Sequence, residues 1–275
     1  MTNYITKRGK IHMDENKLCL SMIEDKYDRF IRDYSIDSGD FLALEQQSLA
    51  MSFVREHKSE GVYFYGGYEE AERRFVLFLP DYTGVRNQAG IDEYFRQNPS
   101  DCPISILEVT IPPQEKVLLG HRDYLGALMG EGIKREKVGD IIVSPNGAQL
   151  IVKNELAEYL KENYRQIGRA TVTTEIKPIT ELKLNDVHKE EMEYNVSSPR
   201  LDNVVSSVFK LSRKNAASAI ERGLVFVNGL EVIKPGYSLK ENDKIVLRGR
   251  GKAIYVGVTG MSKKGKSYVK VIKYV

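Results

Sequence analysis

The hydrophobic positions of the first hundred residues change from a helical to a strand period. Apolar residues three and four positions apart predict an amphipathic helix over 14–35 and a second over about 43–57, with a break at 38–40. Apolar runs at 62–65 and 75–79 then predict a pair of strands. Their aromatic side chains could stack on nucleic-acid bases, but strands rich in Tyr and Phe more often belong to a hydrophobic core.

The next part of the chain alternates strands and helices in an order typical of one fold. Strands are predicted over 104–111, 140–144, 149–152 and 170–176, and helices over 121–129 and 153–164. This order, βαββαβ, is the ferredoxin-like arrangement found in many RNA-binding proteins. The central strands lack the aromatic residues with which such folds often contact RNA, so we expect any RNA contact here to come from loops.

A third pattern, over 198–258, predicts two short helices followed by a hairpin. Ser198 is a suitable N-cap for the first helix, and Ser212 for a second helix that Gly223 would end. The hydrophobic period then changes to two. Asn228-Gly229 predicts a tight hairpin, because both turn positions favour a φ above zero.

Cations occupy the predicted helix starts of this segment, where the helix dipole disfavours them. Arg213 and Lys214 lie in the first turn of the second helix, and Arg200 lies in the first turn of the first. Each placement costs roughly 0.3–1 kcal/mol, and a bound phosphate would reverse the sign because it meets cations and free amides together. We therefore expect a surface for a polyanion, which three further cations extend: Arg248, Arg250 and Lys252.

Charge is distributed unevenly along the 275 residues. Residues 181–275 contain 18 Lys and Arg against 10 Asp and Glu, a net charge of +8, whereas 1–180 contain 23 against 28, a net charge of −5. The basic balance belongs to the C-terminal segment, as expected of an RNA-binding module attached to an ordinary globular body. The polar, acidic stretch 181–195 is predicted to link the two.

Signals for other chemistry are sparse. Cys19 and Cys102 cannot form a disulfide framework, and the four scattered histidines show no metal-ligand spacing, so we predict neither a metal nor a cofactor. No nucleophile stands beside a base, which argues against an enzyme. No apolar run reaches the length of a membrane span and no signal-peptide core is evident, so we expect a cytoplasmic protein without membrane insertion.

A set of residues spread over 198–258 matches a known motif in order and spacing. Its members are Arg200-Leu201-Asp202, Ser212-Arg213-Lys214, Ile220, Gly223, Val225, Val227-Asn228-Gly229, Asp243-Lys244-Ile245, Arg248 and Arg250. The set closely resembles the S4 domain, an RNA-binding module named after small-subunit ribosomal protein S4. Proteins of that family grip structured RNA through the helix pair and the adjoining strand, mainly by backbone and shape. The resemblance implies RNA contacts at Arg200, Ser212, Arg213, Lys214 and Asn228.

A second string lies upstream, GHRDYLGAL at 120–128 followed by GIKREKVGDI at 132–141. It resembles the signature of bacterial YlmH-like proteins, which carry an N-terminal body in front of an S4 domain, so the resemblance covers essentially the whole chain. That family implies a factor that binds the large ribosomal subunit with tRNA and assists the rescue pathway that extends stalled nascent chains with alanine. Its locus also lies among cell-division genes.

The same string holds a candidate second RNA contact in its cations, for which a solvated charged turn is the alternative explanation. These cations are Arg122, Lys134, Arg135 and Lys137.

Together these patterns predict an α+β protein in three parts. An N-terminal α/β body comprises a helical and hairpin subdomain, 1–100, and a ferredoxin-like subdomain, 101–180; an S4 domain follows at 181–275, with its core at 198–258. We expect a non-enzymatic protein that docks on structured RNA, namely rRNA of the large ribosomal subunit with tRNA.

Two other function classes stay open. Arg200-Leu201-Asp202 resembles a catalytic stretch of some pseudouridine synthases, so an RNA-modifying enzyme that uses the S4 domain as a tether is one alternative. The triplet lies inside the predicted RNA-binding module, however, and no separate catalytic domain is evident. A cell-division scaffold that needs no RNA is the other.

Overall fold

The protein consists of two compact units, Met1–Asn185 and Asp186–Val275. A computed structural model describes residues 6–56, 60–115, 117–184, 189–263 and 265–274, with side chains from residue 16 onward. Both units combine helices with antiparallel sheets, which confirms the predicted α+β class.

The N-terminal unit begins with a long helix, α1 (Thr6–Asp33), that starts earlier than its apolar pattern predicted. It ends where Tyr34 adopts a left-handed φ of 48°. Ile23 and Phe30 are buried against the following sheet, whereas the neighbouring Ile31 is 58% exposed. The elements that follow are β1 (Asp37–Ser38), α2 (Leu44–Glu56), β2 (Val62–Tyr65), β3 (Phe75–Phe78) and α3 (Gln88–Gln97).

Strand β3 lies between β1 and β2, antiparallel to both, and all four of its residues are buried. Its rings form edge contacts within the core, such as Phe75 with Phe41 at 5.2 Å between ring centres. The aromatic strands are therefore core and not a stacking platform. Helix α3 was not predicted, because only Ile91 and Phe95 of its ten residues are buried.

A four-stranded antiparallel sheet in the order β5-β6-β4-β9 forms the second half of this unit. Two helices connect its strands in the order βαββαβ, which confirms the ferredoxin-like arrangement. The predicted strand 170–176 is divided at Val172 between a two-stranded pair and the sheet edge. The elements are β4 (Ile104–Thr110), α4 (His121–Gly130), β5 (Val138–Ser144), β6 (Gly147–Lys153), α5 (Asn154–Asn163), β7 (Gln166–Ile167), β8 (Ala170–Thr171) and β9 (Thr173–Pro178).

Both faces of the four-stranded sheet are covered. Leu107 and Val109 of β4 pack with α4 and α5, and Ile104 and Ile106, which point the other way, pack with Phe75 of the first sheet. Many ferredoxin-like RNA-binding proteins use this second face for aromatic stacking on bases. Here it is core, which explains why its strands carry aliphatic residues.

A polar contact network joins the two halves of the N-terminal unit. The Asp140 carboxylate accepts hydrogen bonds from the Tyr68 hydroxyl at 2.8 Å and from the amides of Glu72 and Arg73 at 2.7 and 3.0 Å. The Arg73 guanidinium donates to the carbonyls of Val138 and Phe41, each at 3.0 Å. Burial lowers the pKa of Arg73 to about 10.

The C-terminal unit packs two helices on one face of a six-stranded antiparallel sheet, in the order β10-β15-β14-β13-β11-β12. The predicted hairpin is confirmed, because Asn228 and Gly229 have φ values of 52° and 80° and Val227 pairs with Leu230 across the turn. The elements are β10 (Lys189–Val196), α6 (Leu201–Val208), α7 (Arg213–Glu221), β11 (Val225–Val227), β12 (Leu230–Glu231), β13 (Asp243–Leu247), β14 (Gly251–Met261) and β15 (Ser267–Tyr274).

The prediction of a linker over 181–195 was wrong for its second part. Residues 189–196 form β10, which pairs along its whole length with β15. Its acidic side chains find partners on the sheet, as in the ion pair of Glu191 with Lys270 at 2.7 Å. Residues 185–188 of the expected linker lie outside the described residues.

Candidate nucleic-acid interface

The turn between α6 and α7 presents three exposed cations, Lys210, Arg213 and Lys214, which we call the junction cations. Two hydrogen bonds close this turn: the Leu211 amide donates to the Ser206 carbonyl at 2.9 Å, and the Ser206 hydroxyl donates to the Leu211 carbonyl at 2.8 Å. Lys210 adopts a φ of 52°, which is uncommon for a residue with a side chain. The backbone is thus held in a defined shape beneath the cations.

The start of α7 is capped as predicted but keeps unused hydrogen-bond donors. The Ser212 hydroxyl accepts the Asn215 amide at 3.1 Å. Within the described part of the chain, the amides of Arg213 and Lys214 have no acceptor, and their side chains have no carboxylate within ion-pair distance. Cations and free amides at a helix start together favour an anion such as a phosphate.

The start of α6 differs from its prediction. Arg200, and not Ser198, is the N-cap, and its side chain makes no capping bond. Ser198 instead accepts two hydrogen bonds from the Asn203 side chain, through its hydroxyl at 2.9 Å and its carbonyl at 3.1 Å. The first two helix amides, of Leu201 and Asp202, donate to carbonyls of the 235–237 loop. This helix start is therefore closed to a phosphate at its amides.

Arg200 is engaged with a neighbouring carboxylate. Its guanidinium makes two hydrogen bonds to Asp202, both at 3.1 Å, and Asp202 is only 8% exposed. The pair leaves the guanidinium half-exposed, able to meet a phosphate with its remaining donors. Asp202, the residue that suggested a pseudouridine-synthase-like site, thus has an ion-pair partner inside the helix start.

The cations of 248–252 lie away from the junction cations, so the single cluster expected from the sequence is divided. The Arg248 amide donates to the Leu224 carbonyl at 2.9 Å, just beyond the C-terminal end of α7. Nine helical residues span about 13 Å, so α7 separates Arg213 from this turn. Arg250 is exposed, and the Lys252 ammonium lies 4.6 Å from the centre of the Tyr274 ring.

Asn228 uses both ends of its side chain to hold the hairpin. Its amide group donates to Asp243 at 2.7 Å, and its carbonyl oxygen accepts the Lys244 amide at 2.9 Å. Both polar groups of the Asn228 side chain are therefore engaged within the protein.

The second set of cations is largely committed to the protein itself. Arg135 donates to the carbonyls of Val138 and Gly139, and Lys137 pairs with Asp40 at 2.8 Å and with Glu155 at 2.7 Å. Lys134 is exposed and 3.9 Å from Glu136.

Arg122, the remaining member, has no ion-pair partner among the described residues and lines a groove together with Arg169. Neither Arg169 nor Lys210 was predicted from the sequence as a candidate contact. Two features of the sequence could have indicated them: Arg169 follows a glycine in a short turn, and Lys210 lies just before the Ser212 cap.

The described residues contain neither a cluster of metal-ligating side chains nor a helix suited to a membrane. No three His, Cys, Asp or Glu side chains there converge in a way that could hold a metal ion. Over the same ranges, no helix combines the length and apolar character needed to cross a bilayer.

Comparisons with known proteins agree with the geometry. The family model "Putative RNA-binding domain in YlmH" matches residues 98–181, and the S4 domain model matches 199–245. The Ribosome-associated protein quality control protein P2 of Bacillus subtilis (strain 168) is 34% identical over 233 residues, which are 85% of this chain and 85% of that protein.

Two more similarities cover smaller parts or are more distant. The Small ribosomal subunit protein uS4 of Rhodopirellula baltica is 47% identical over 66 residues, 23% of this chain and 33% of that protein. The solved structure of Cell division protein ylmH from Streptococcus pneumoniae is 20% identical with a TM-score of 0.43, covering 67% of this chain and 99% of that one. With both family models matched and a relative of this identity aligned over most of its length, the chain belongs to the family of YlmH-like proteins with a C-terminal S4 domain.

Proposed function

We propose that this protein is a non-enzymatic factor that docks on structured RNA of the ribosome through its C-terminal unit. The observation that carries the proposal is the start of α7, where the junction cations and two free amides lie together on a turn fixed by hydrogen bonds. Such a site binds phosphate without reading bases, as recognition of folded RNA by shape requires.

The ribosomal partner is supported by similarity. The Bacillus subtilis relative is named as a ribosome-associated quality control protein, and the S4 domain matches the helix pair that carries the junction cations. We propose that the RNA is rRNA of the large subunit together with tRNA, and that the protein acts in the cytoplasm on ribosomes with stalled nascent chains.

The contact would hold the protein in place on the RNA by neutralising phosphates. The junction cations neutralise one set of phosphates, and Arg248, Arg250 and Lys252 lie where they can meet a second set beyond the other end of α7. Arg200, through the donors that Asp202 leaves free, and the Asn228 turn are further proposed contacts. Because most of this binding energy is electrostatic, affinity should fall steeply as the salt concentration rises.

The proposal is tested by sedimenting full-length protein with ribosomal subunits on sucrose gradients. We expect wild type to travel with the large subunit and Arg213→Glu/Lys214→Glu to stay at the top. The matched control is Lys17→Glu/Arg55→Glu, two exposed cations of the N-terminal unit whose reversal changes the net charge equally.

The control variant should sediment as wild type does. If both double variants leave the ribosome, net charge alone governs binding and the assignment to α7 is incorrect. If wild type itself stays at the top at low salt, the ribosome is not the partner.

A further inference from the structure

The groove that holds Arg122 lies between the start of α4 and the β7–β8 turn and has a volume of about 420 Å³. This size falls within the range of roughly 300–1,000 Å³ typical of small-ligand sites. Its floor is aliphatic and its rim carries two guanidinium groups and one carboxylate. The lining includes the aliphatic residues Val117 and Ile167, the charged residues Arg122, Asp123 and Arg169, and Gly126.

The local fold keeps this groove open. Gly168 and Arg169 form the two-residue turn between paired Ile167 and Ala170, and Gly168 has a φ of 59°. A Cβ added at Gly168, or at Gly126 on α4, would meet no atom within 4 Å. Both glycines line the groove, so a larger side chain at either position has room to enter it.

The charges at the rim are available to a ligand. Over the described ranges neither Arg122 nor Arg169 has a hydrogen-bond or ion-pair partner, and both are exposed. The carboxylate of Asp123 accepts the Gly120 amide at 2.8 Å, which engages it in the helix start. The rim is thus basic, although residues 1–180 carry a net charge of −5.

We propose that this groove binds one unpaired nucleotide of an RNA strand. A guanidinium group can bind a phosphate with two hydrogen bonds and can also stack on a base, so two arginines over an aliphatic floor suit both ends of a nucleotide.

A single nucleotide fits the charge distribution better than a duplex does. A duplex would lay many phosphates across an acidic unit, whereas an unpaired nucleotide needs only the groove. The inference extends the proposed function to the N-terminal unit and rests on it for the choice of RNA as the partner. It uses none of the junction cations, so the two can be tested separately.

The test uses full-length protein with Arg213→Glu/Lys214→Glu, which silences the α7 contact. The probe is a fluorescent single-stranded oligouridylate of roughly six nucleotides, within the usual site size of strand-binding domains. Binding is followed by fluorescence anisotropy. We expect Arg122→Glu, Arg169→Glu and Gly126→Leu each to weaken binding by roughly tenfold or more. The arginine variants lose at least one charge-assisted contact, and Gly126→Leu loses the space for the base.

The matched control is Gly130→Leu, on the same helix and also with no atom within 4 Å of an added Cβ, but outside the groove lining. It should bind as the background protein does. Both leucine variants replace a helical glycine in open space, so neither is expected to impair folding.

Four results would overturn the inference. In the first, the oligonucleotide fails to bind the background protein, and in the second, Gly126→Leu and Gly130→Leu bind it with equal affinity. In the third, polyglutamate displaces the probe as readily as unlabelled oligonucleotide does. In the fourth, free uridine monophosphate binds as tightly as the strand. The third would assign the groove to an acidic peptide and the fourth to a free nucleotide. Ribosome binding by the wild type is measured independently and can stand or fail on its own.

Discussion

The buried ammonium group of Lys153 lies 4.4 Å from the centre of the Phe75 ring and donates hydrogen bonds of 2.8 Å to Ser38 and to the Gly39 carbonyl. Lys153 ends β6, and its three partners belong to the first half of the N-terminal unit. The lysine is 6% exposed, and its burial lowers the pKa to about 8 from an ordinary value of 10.5. It therefore joins the two sheets of the unit and also makes their stability depend on pH.

This shift predicts that stability rises with pH between about 8 and 10.5. In that window the folded protein has released the Lys153 proton while the unfolded chain still binds it, so raising the pH favours the folded state. We expect the free energy of unfolding of wild type, relative to Lys153→Met, to increase by roughly 2 kcal/mol from pH 7.5 to 9.5. Urea unfolding of both proteins at the two pH values measures it. An unchanged difference would mean that Lys153 titrates normally in the fold.

Asp140 should be among the most sensitive positions of the N-terminal unit. Asp140→Ala removes the acceptor for the Tyr68 hydroxyl and for two backbone amides. We expect a loss of about 3–5 kcal/mol in the free energy of unfolding, because several charge-assisted bonds are lost and their donors are left unsatisfied. Tyr68→Phe removes one of the three bonds and should cost about 1 kcal/mol. Similar losses for the two variants would contradict this account.

Asn228 is predicted to support RNA binding by stabilising the turn, and not by contacting RNA with its side-chain amide. Asn228→Ala removes the bonds to Asp243 and Lys244 and places a Cβ-bearing residue without a local hydrogen bond at a φ of 52°. We expect a loss of roughly 2–3 kcal/mol in stability. Affinity for ribosomes, measured where the variant is folded, should stay within about twofold of wild type, since a twofold change is only about 0.4 kcal/mol. A tenfold loss would instead make the side chain a direct contact.

The salt dependence of RNA affinity should change differently in variants at the start of α7 and at the start of α6. Arg213→Ala should reduce the slope of log affinity against log salt by about 0.7–0.9, the value for one phosphate contact. Arg200→Ala should reduce the slope by less, because Asp202 already holds this guanidinium, and should reduce stability by roughly 1–3 kcal/mol, because it leaves the Asp202 carboxylate without its partner. Equal slopes for wild type and Arg213→Ala would remove Arg213 from the interface.

Local patterns predicted the elements that local chemistry determines. The period of β4, the Ser212 cap and the Asn228-Gly229 turn were all readable, because each depends on residues close in sequence. Strand β10 was missed because its polar residues become a strand only by pairing with β15 at the far end of the unit.

The sequence also did not show which cations form ion pairs within the protein. Charge counts alone do not show that Lys137 meets Asp40 and Glu155, which lie on distant segments, whereas Arg169 meets no carboxylate in the described residues. Long-range packing decides which cations stay available to a partner. The motif resemblance identified the S4 domain, whose family model matches 199–245, but the division of its cations between the two ends of α7 required the fold.

The position of β15 inside the C-terminal sheet has a consequence for biosynthesis. This strand lies between β10 and β14, so the first strand of the unit has no neighbour until residues 267–274 have been made. A chain that stops before Ser267 lacks the strand that holds Val269 and Val271 in the core beneath α6 and α7. Because these two valines share a core with both helices, we expect the C-terminal unit to become stable only on chains whose translation has passed this strand.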